Sequence, residues 1–133
     1  MPQMANITIK KADGTTDVIW TALQASAGDS MPATWRNNTV GTTLAQRPTF
    51  SVSSKWNGPK TGRRISGNYA WPITQTDSTG NVAVVGVNPA SFTFLAVQNQ
   101  DPALIKEQAY QFANLVANAI IKASMEEGYA PRS

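Results

Sequence analysis

Near residue 100 the chain changes its periodicity, and no other feature constrains the fold as much. Up to Gln98 apolar residues recur at every second position, whereas from Asp101 onward they recur at every third and fourth. Period two belongs to a strand with one buried face, and a period near 3.6 belongs to a helix with one apolar stripe. Strands followed by a helical tail make an α+β chain whose tail must cover the apolar face of an antiparallel sheet.

The strand region begins with a hairpin over about residues 5–23, where Ile7 and Ile9, the Asp13-Gly14 turn, and then Val18 and Trp20 follow one another. Gln24 to Thr34 reads as an irregular connection and Trp35 to Val40 as a short strand. From Arg47 the alternation is clear: Thr49, Ser51, Ser53 and Lys55 fall on one side, and Phe50 and Val52 on the other. After turn chemistry from Trp56 to Gly62, Arg64, Ser66, Asn68 and Ala70 alternate with Ile65, Tyr69 and Trp71. Thr74, Gln75, Thr76, Asp77, Ser78, Thr79, Gly80 and Asn81 read as a flexible loop. Val82 to Gln98 is β-rich again, with Pro89 at a bulge or an edge and Ser91 and Thr93 opposite in parity to Phe92 and Phe94. The sheet is thus expected over about residues 35–98.

Asp101 is suited to cap a helix that has Pro102 in its first turn, and Leu104, Ile105, Ala109, Phe112, Leu115 and Val116 form its stripe. The helical segment continues to residue 127 through Ile120, Ile121 and Met125, with a bend near Asn118 and Gly128 as the stop. Some 25 helical residues would span roughly 37 Å at about 1.5 Å per residue, a large apolar surface for one small sheet. Two subunits sharing a joint sheet, each helix packing on the partner, is the economical solution. The 133 residues suit a single domain.

Cysteine and histidine are both absent. Disulfides, thiolate metal sites and the usual general base are therefore excluded, and neither an enzyme nor a metal or other cofactor is expected. There is no apolar run of about 18 residues and no signal-peptide layout, so the expectation is a soluble intracellular chain without a membrane partner. The net charge is only +3, but no acidic residue occurs between Asp29 and Asp77. That interval holds Arg36, Arg47, Lys55, Lys60, Arg63 and Arg64, six of the eleven basic residues. Such a segment attracts a polyanion, unless its charges meet acids elsewhere in the fold.

Arg47 to Ser54, Arg63 to Pro72, Ser91 to Phe94 and the tail from Asp101 to Pro131 resemble, in order and spacing, the coat proteins of the leviviruses, the small single-stranded RNA bacteriophages. The resemblance covers nearly the whole chain and rests on layout more than on any single motif. It implies an N-terminal hairpin, a five-stranded antiparallel sheet and two C-terminal helices, with dimers built on a joint ten-stranded sheet and assembled into an icosahedral shell. Leu104, Ile105, Phe112, Leu115 and Val116 would then line the dimer interface, and the loop 74–81 would make shell contacts. The inner sheet face would bind an RNA hairpin that marks the genome and represses replicase translation. By position Thr49, Ser51, Ser66 and Asn68 match base-pocket residues, and Arg47, Ser53, Lys55, Arg64, Ser91 and Thr93 share their face. The implied partners are a second copy, viral single-stranded RNA and the phage maturation protein, and the implied location is the virion, after assembly in the host cytoplasm. An inward tyrosine typical of the family is replaced here by Val87 or Pro89, while Tyr69 has the opposite parity.

Two other readings remain open from the residues alone. A non-viral nucleic-acid module with a sheet platform would want aromatics on the polar face, and a shell protein without sequence-selective RNA recognition would not need them. Gly58 to Gly62 only faintly resembles a phosphate loop, because it lacks the Gly-Lys-Ser/Thr ending and leads into a strand.

Overall fold

Local side-chain chemistry closes each turn of the computed structural model, which describes residues 2–132. At the first turn the Asp13 carboxylate accepts hydrogen bonds from the Thr16 hydroxyl (2.6 Å) and from the amides of Thr16 and Thr15 (2.9 Å each), with Gly14 at φ 75°. Those bonds, that of the Thr16 hydroxyl first, hold the Asp13 carboxyl down to a pKa of about 2. Asn57 acts alike at the fourth turn, accepting from the amides of Thr61 (2.9 Å) and Gly62 (3.2 Å).

Six strands result: β1 (Ile7–Lys10), β2 (Asp17–Gln24), β3 (Ala33–Asn37), β4 (Thr49–Trp56), β5 (Gly62–Thr76) and β6 (Val82–Val97). They form one antiparallel meander in the order β1-β2-β3-β4-β5-β6. The hairpin, the antiparallel sheet and the helical tail expected from the sequence are all present. The strand count differs, because β2 hydrogen-bonds to β3 and joins the hairpin to four further strands in one sheet. Thr74, Gln75 and Thr76 also depart from expectation: they continue β5 opposite Val84, Ala83 and Val82, so only 77–81 is turn. Two-residue alternation persists through Thr76, but polar side chains on both faces made it look like loop. Asn88-Pro89 does not interrupt β6. Pro89 pairs with Ala70 on the outermost strand, where a missing N–H is tolerated, and the register shift falls instead beside Ile73 and Thr74.

The tail forms α1 (Pro102–Val116) and α2 (Ala119–Glu127). Asp101 caps α1 by accepting from the Ala103 amide (2.9 Å), and Asn118 caps α2 through the Ile120 amide (2.9 Å). The bend near Asn118 is therefore a second helix start, and Gly128, at φ 80°, ends α2 in the left-handed conformation.

On one sheet face Trp20 lies 6.0 Å from Tyr69, Tyr69 lies 6.3 Å from Trp71, and Trp35 lies 5.8 Å from Phe50, all between ring centroids. Phe112 of α1 reaches that face beside Phe92 (6.4 Å) and Phe94 (6.3 Å). Yet the only buried apolar side chains among the described residues are Val18, Trp20 and Pro48, and neither helix has a fully buried residue. Leu104 is 54% exposed and Leu115 64%. The chain presents 9794 Å² to solvent. A compact monomer of this size would present about 6,800 Å², so roughly 3,000 Å² is left without cover. Part of it lines an apolar cleft of about 400 Å³ between α1 and the sheet, bounded by Ile65, Phe92, Phe94, Phe112 and Val116.

The floor of this cleft depends on Gly67, which pairs with Val52 and Phe92; a Cβ there would lie 1.9 Å from the Phe92 ring. Gly67→Ala must push that ring out against Phe112 and is expected to cost about 1–3 kcal/mol of stability, read as a lower urea midpoint. An unchanged midpoint would show that the ring is free to move.

Candidate nucleic-acid interface

Cross-strand register decides which side chains share the opposite face, since directly paired residues in an antiparallel ladder point the same way. One row runs Thr34, Ser51, Asn68, Ser91 from β3 to β6. Beside it lie Arg36, Thr49, Ala70, Pro89 on one flank and Ser53, Ser66, Thr93 on the other. A further row holds Lys55, Arg64 and Leu95. Of the residues expected on the polar face, Thr49, Ser51, Ser53, Lys55, Arg64, Ser66, Asn68, Ser91 and Thr93 thus fall together. Arg47 stands just outside the strands, after the short 3-10 turn Leu44–Gln46. The hydrogen bond from the Asn37 amide to the Pro48 carbonyl (3.0 Å) extends the β3–β4 ladder, leaving Asn38 and Arg47 next in line on the polar face.

Thr34, Arg36 and Asn38 join this face although the sequence reading passed over them. Their alternation with Trp35 and Asn37 was the available signal, but over five strand residues it is too short to stand out. Tyr69 lies on the apolar side as its parity requires, and burial there pushes its phenol pKa up. Val87 and Pro89 are exposed on the polar side opposite Pro72 and Ala70, so an apolar, non-aromatic shelf occupies that end.

The electrostatics are one-sided. β3 to β6 contain no Asp or Glu, and the ion pairs among the described residues are Lys10–Asp17 and Arg63–Asp29. Arg63 belongs to the other face: it grips Asp29 through two bonds (2.7 and 3.0 Å), donates to the Ser54 hydroxyl (3.0 Å) and stacks on Trp56 at 5.0 Å. Its guanidinium holds the Asp29 carboxyl below the usual carboxylate range. One cation of the acid-free interval is therefore neutralised across the fold. Lys55 and Arg64 face each other directly with no acid between them, an arrangement that is unfavourable until an anion arrives. With the Ser, Thr and Asn side chains of the central rows, this face can meet phosphates with its cations and base edges with its hydroxyls and amides. Among the described residues no cluster of three His, Cys, Asp or Glu exists to hold a metal, and no helix is long and apolar enough to cross a membrane.

The β5–β6 turn is tightly built. Asp77 accepts from the Thr79 hydroxyl (2.8 Å) and from the amides of Asn81 and Thr79 (2.9 Å each), and Gly80 adopts φ 89°.

No family profile and no curated protein sequence matches the chain. Solved structures do match. The virus-like particle of Beihai levi-like virus 21 is 15% identical, with a TM-score of 0.80 over 99% of this chain and 100% of that one. The virus-like particle of bacteriophage NT-214 is 14% identical, with a TM-score of 0.81 over 98% and 100%. The capsid protein of bacteriophage GA is 16% identical, with a TM-score of 0.70 over 94% and 95%. The chain has the fold of the single-stranded RNA phage coat proteins.

Hydrogen bonds from Thr79 and Asn81 lower the Asp77 pKa below its ordinary 3.8. The stabilisation is therefore present above pH 4 or so and is lost as pH falls through the depressed value. Asp77→Asn keeps an acceptor but loses the charge. It is expected to lower the urea midpoint at pH 7, with the gap to the unsubstituted protein closing in acid; a gap independent of pH would assign the effect to shape alone.

Proposed function

We propose that the chain is the coat protein of a single-stranded RNA bacteriophage, which dimerises, closes into an icosahedral shell and binds the viral RNA on its polar sheet face. The observation that carries the reading is a single sheet with two incompatible faces: one apolar and only partly covered, the other hydroxyl-rich, cationic and free of acids over four strands. The fold shared with structures described as virus-like particles and capsids supports the shell.

The dimer follows from the uncovered surface. β6 is a sixteen-residue outer strand with one edge unpaired, and exposed Val82, Val84, Val85 and Val87 lie along it. A second β6 laid against this edge would join the two sheets. Leu104, Phe112, Leu115 and Val116, with the half-buried Ile105, would then be covered across the seam. An obligate interface of about 2,000–5,000 Å² is of the size that the excess surface calls for. The turn 77–81 would make contacts between dimers. On the polar face Thr49, Ser51, Ser66 and Asn68 would read bases of a genomic hairpin, flanked by Ser53, Ser91 and Thr93. Arg47, Lys55 and Arg64 would meet phosphates. Such binding would repress replicase translation and select the genome, and the maturation protein would be a further shell partner. A shell protein lacking sequence selectivity is the second reading, favoured by the absence of any aromatic side chain on the polar rows of β3 to β6.

Expressed alone, the protein is expected to elute as a particle with strong nucleic-acid absorbance, visible by electron microscopy. Phe112→Asp should abolish soluble dimers; a folded monodisperse monomer of the unsubstituted chain at high concentration would refute the shared sheet.

Selectivity is tested by filter binding of a dimer-competent variant to the phage's own replicase-start hairpin and a scrambled one. Asn68→Ala should remove about 1–3 kcal/mol of discrimination, by analogy with base-edge readout in duplexes. Arg64→Ala should weaken both RNAs alike and flatten the salt dependence. Discrimination that survives Asn68→Ala but is lost in a folded Tyr69→Ala dimer would put the face assignment wrong by one residue, and equal affinity of the unsubstituted dimer for both hairpins would leave only the unselective shell.

A further inference from the structure

At the open end of the polar face two arginines converge on one neutral oxygen. Arg36 Nε donates to Asn38 Oδ1 at 2.7 Å, and Arg47 Nη1 donates to the same oxygen at 3.2 Å. Sharing an acceptor holds the two donor nitrogens within about 6 Å of each other, well inside the Debye length of about 8 Å at physiological salt. No carboxylate among the described residues pairs with either guanidinium. Arg47 Nε is sealed from solvent without any hydrogen-bond partner. A carboxamide oxygen positions two cations but cannot neutralise them, so the arrangement stores a repulsion that an anion accepting from the outer guanidinium nitrogens would relieve.

We propose that Arg36, Asn38 and Arg47 form a clamp for a backbone phosphate of single-stranded RNA, with the two arginines as ligands and Asn38 as the residue that positions them. Resting on the coat-protein reading, it adds Arg36 and Asn38 to the interface. Guanidinium forks match the oxygens of a phosphodiester, and a phosphate accepting from both removes their mutual repulsion. The neighbouring row suits the rest of the nucleotide. From Arg36 it runs to Thr49, then to Ala70 and Pro89, a hydroxyl followed by a smooth apolar surface on which a ribose or base can lie.

The test titrates subunits recovered from dissociated particles with a fluorescent 20-nucleotide RNA of mixed sequence at several salt concentrations. Arg36→Gln and Arg47→Gln should each weaken binding and reduce the slope of log affinity against log salt by about 0.7, the single-strand value for one phosphate contact. Asn38→Ala should leave the slope unchanged and lower affinity about threefold to tenfold, because both charges remain but must be ordered at each binding event. If Arg36→Gln does not fold, Arg36→Lys replaces it, with reduced affinity at unchanged slope expected from the lost fork. Wild-type affinity and slope in folded Asn38→Ala and Arg36 variants would overturn the clamp. If Lys55→Gln still flattens the slope under those conditions, RNA binding by the face stands and only the clamp falls. If the unsubstituted subunits bind no RNA, the RNA reading falls and takes the clamp with it.

Discussion

A helical tail that cannot bury its apolar stripe on its own sheet is the constraint on which the rest of the structure depends. α1 touches the sheet through Phe112, against Phe92 and Phe94, while Leu104 and Leu115 stay more than half exposed. Two well-capped helices joined at Asn118 hold their shape locally, but caps supply only about 1 kcal/mol each, and most helix stability in a protein comes from tertiary packing. The aromatic run Trp20, Tyr69, Trp71 fills the apolar face between β2 and β5. Exposed apolar side chains are numerous on the last strand and the first helix, among them Val85, Val87, Leu104 and Leu115.

The same division explains why the other face is free to carry charge. With the apolar residues committed to one side, the polar side has no core to protect and can hold Lys55 directly opposite Arg64. In a monomeric protein that pairing would be a small, unrelieved cost. Beside a polyanion it becomes an attraction that salt weakens. The meander matters as well: because every neighbour is antiparallel and registers hold from β3 to β6, single residues on separate strands align into rows of hydroxyls and amides. Arg63 shows the limit of reading charge along the chain, since one step in parity sends it to the other face and into the grip of Asp29.

Much of this is legible in the sequence. Alternation in Thr49 to Lys55 and in Arg64 to Ala70 assigned faces because a strand has no choice about parity, and Asp101-Pro102 marked the helix start because its backbone donors need a cap. Signals failed where chemistry did not differ between faces. Thr74 to Thr76 look like loop since both of their sides meet solvent, whereas Pro89 leaves bulge and edge open until topology places β6 outermost. Thr34, Arg36 and Asn38 were hidden by the shortness of β3.

By itself, then, the sequence determined the two periodicities, the faces of the long strands, the helix boundaries and the acid-free interval, all of which are set by interactions between residues close in the chain. Tertiary structure decided what depends on distant residues meeting: the continuity of the hairpin with the sheet, the neutralisation of Arg63 by Asp29, and the convergence of Arg36 and Arg47 on Asn38. Pairing register and loop closure bring those groups together, and neither leaves a local pattern, because the energy that selects them resides in contacts across the fold.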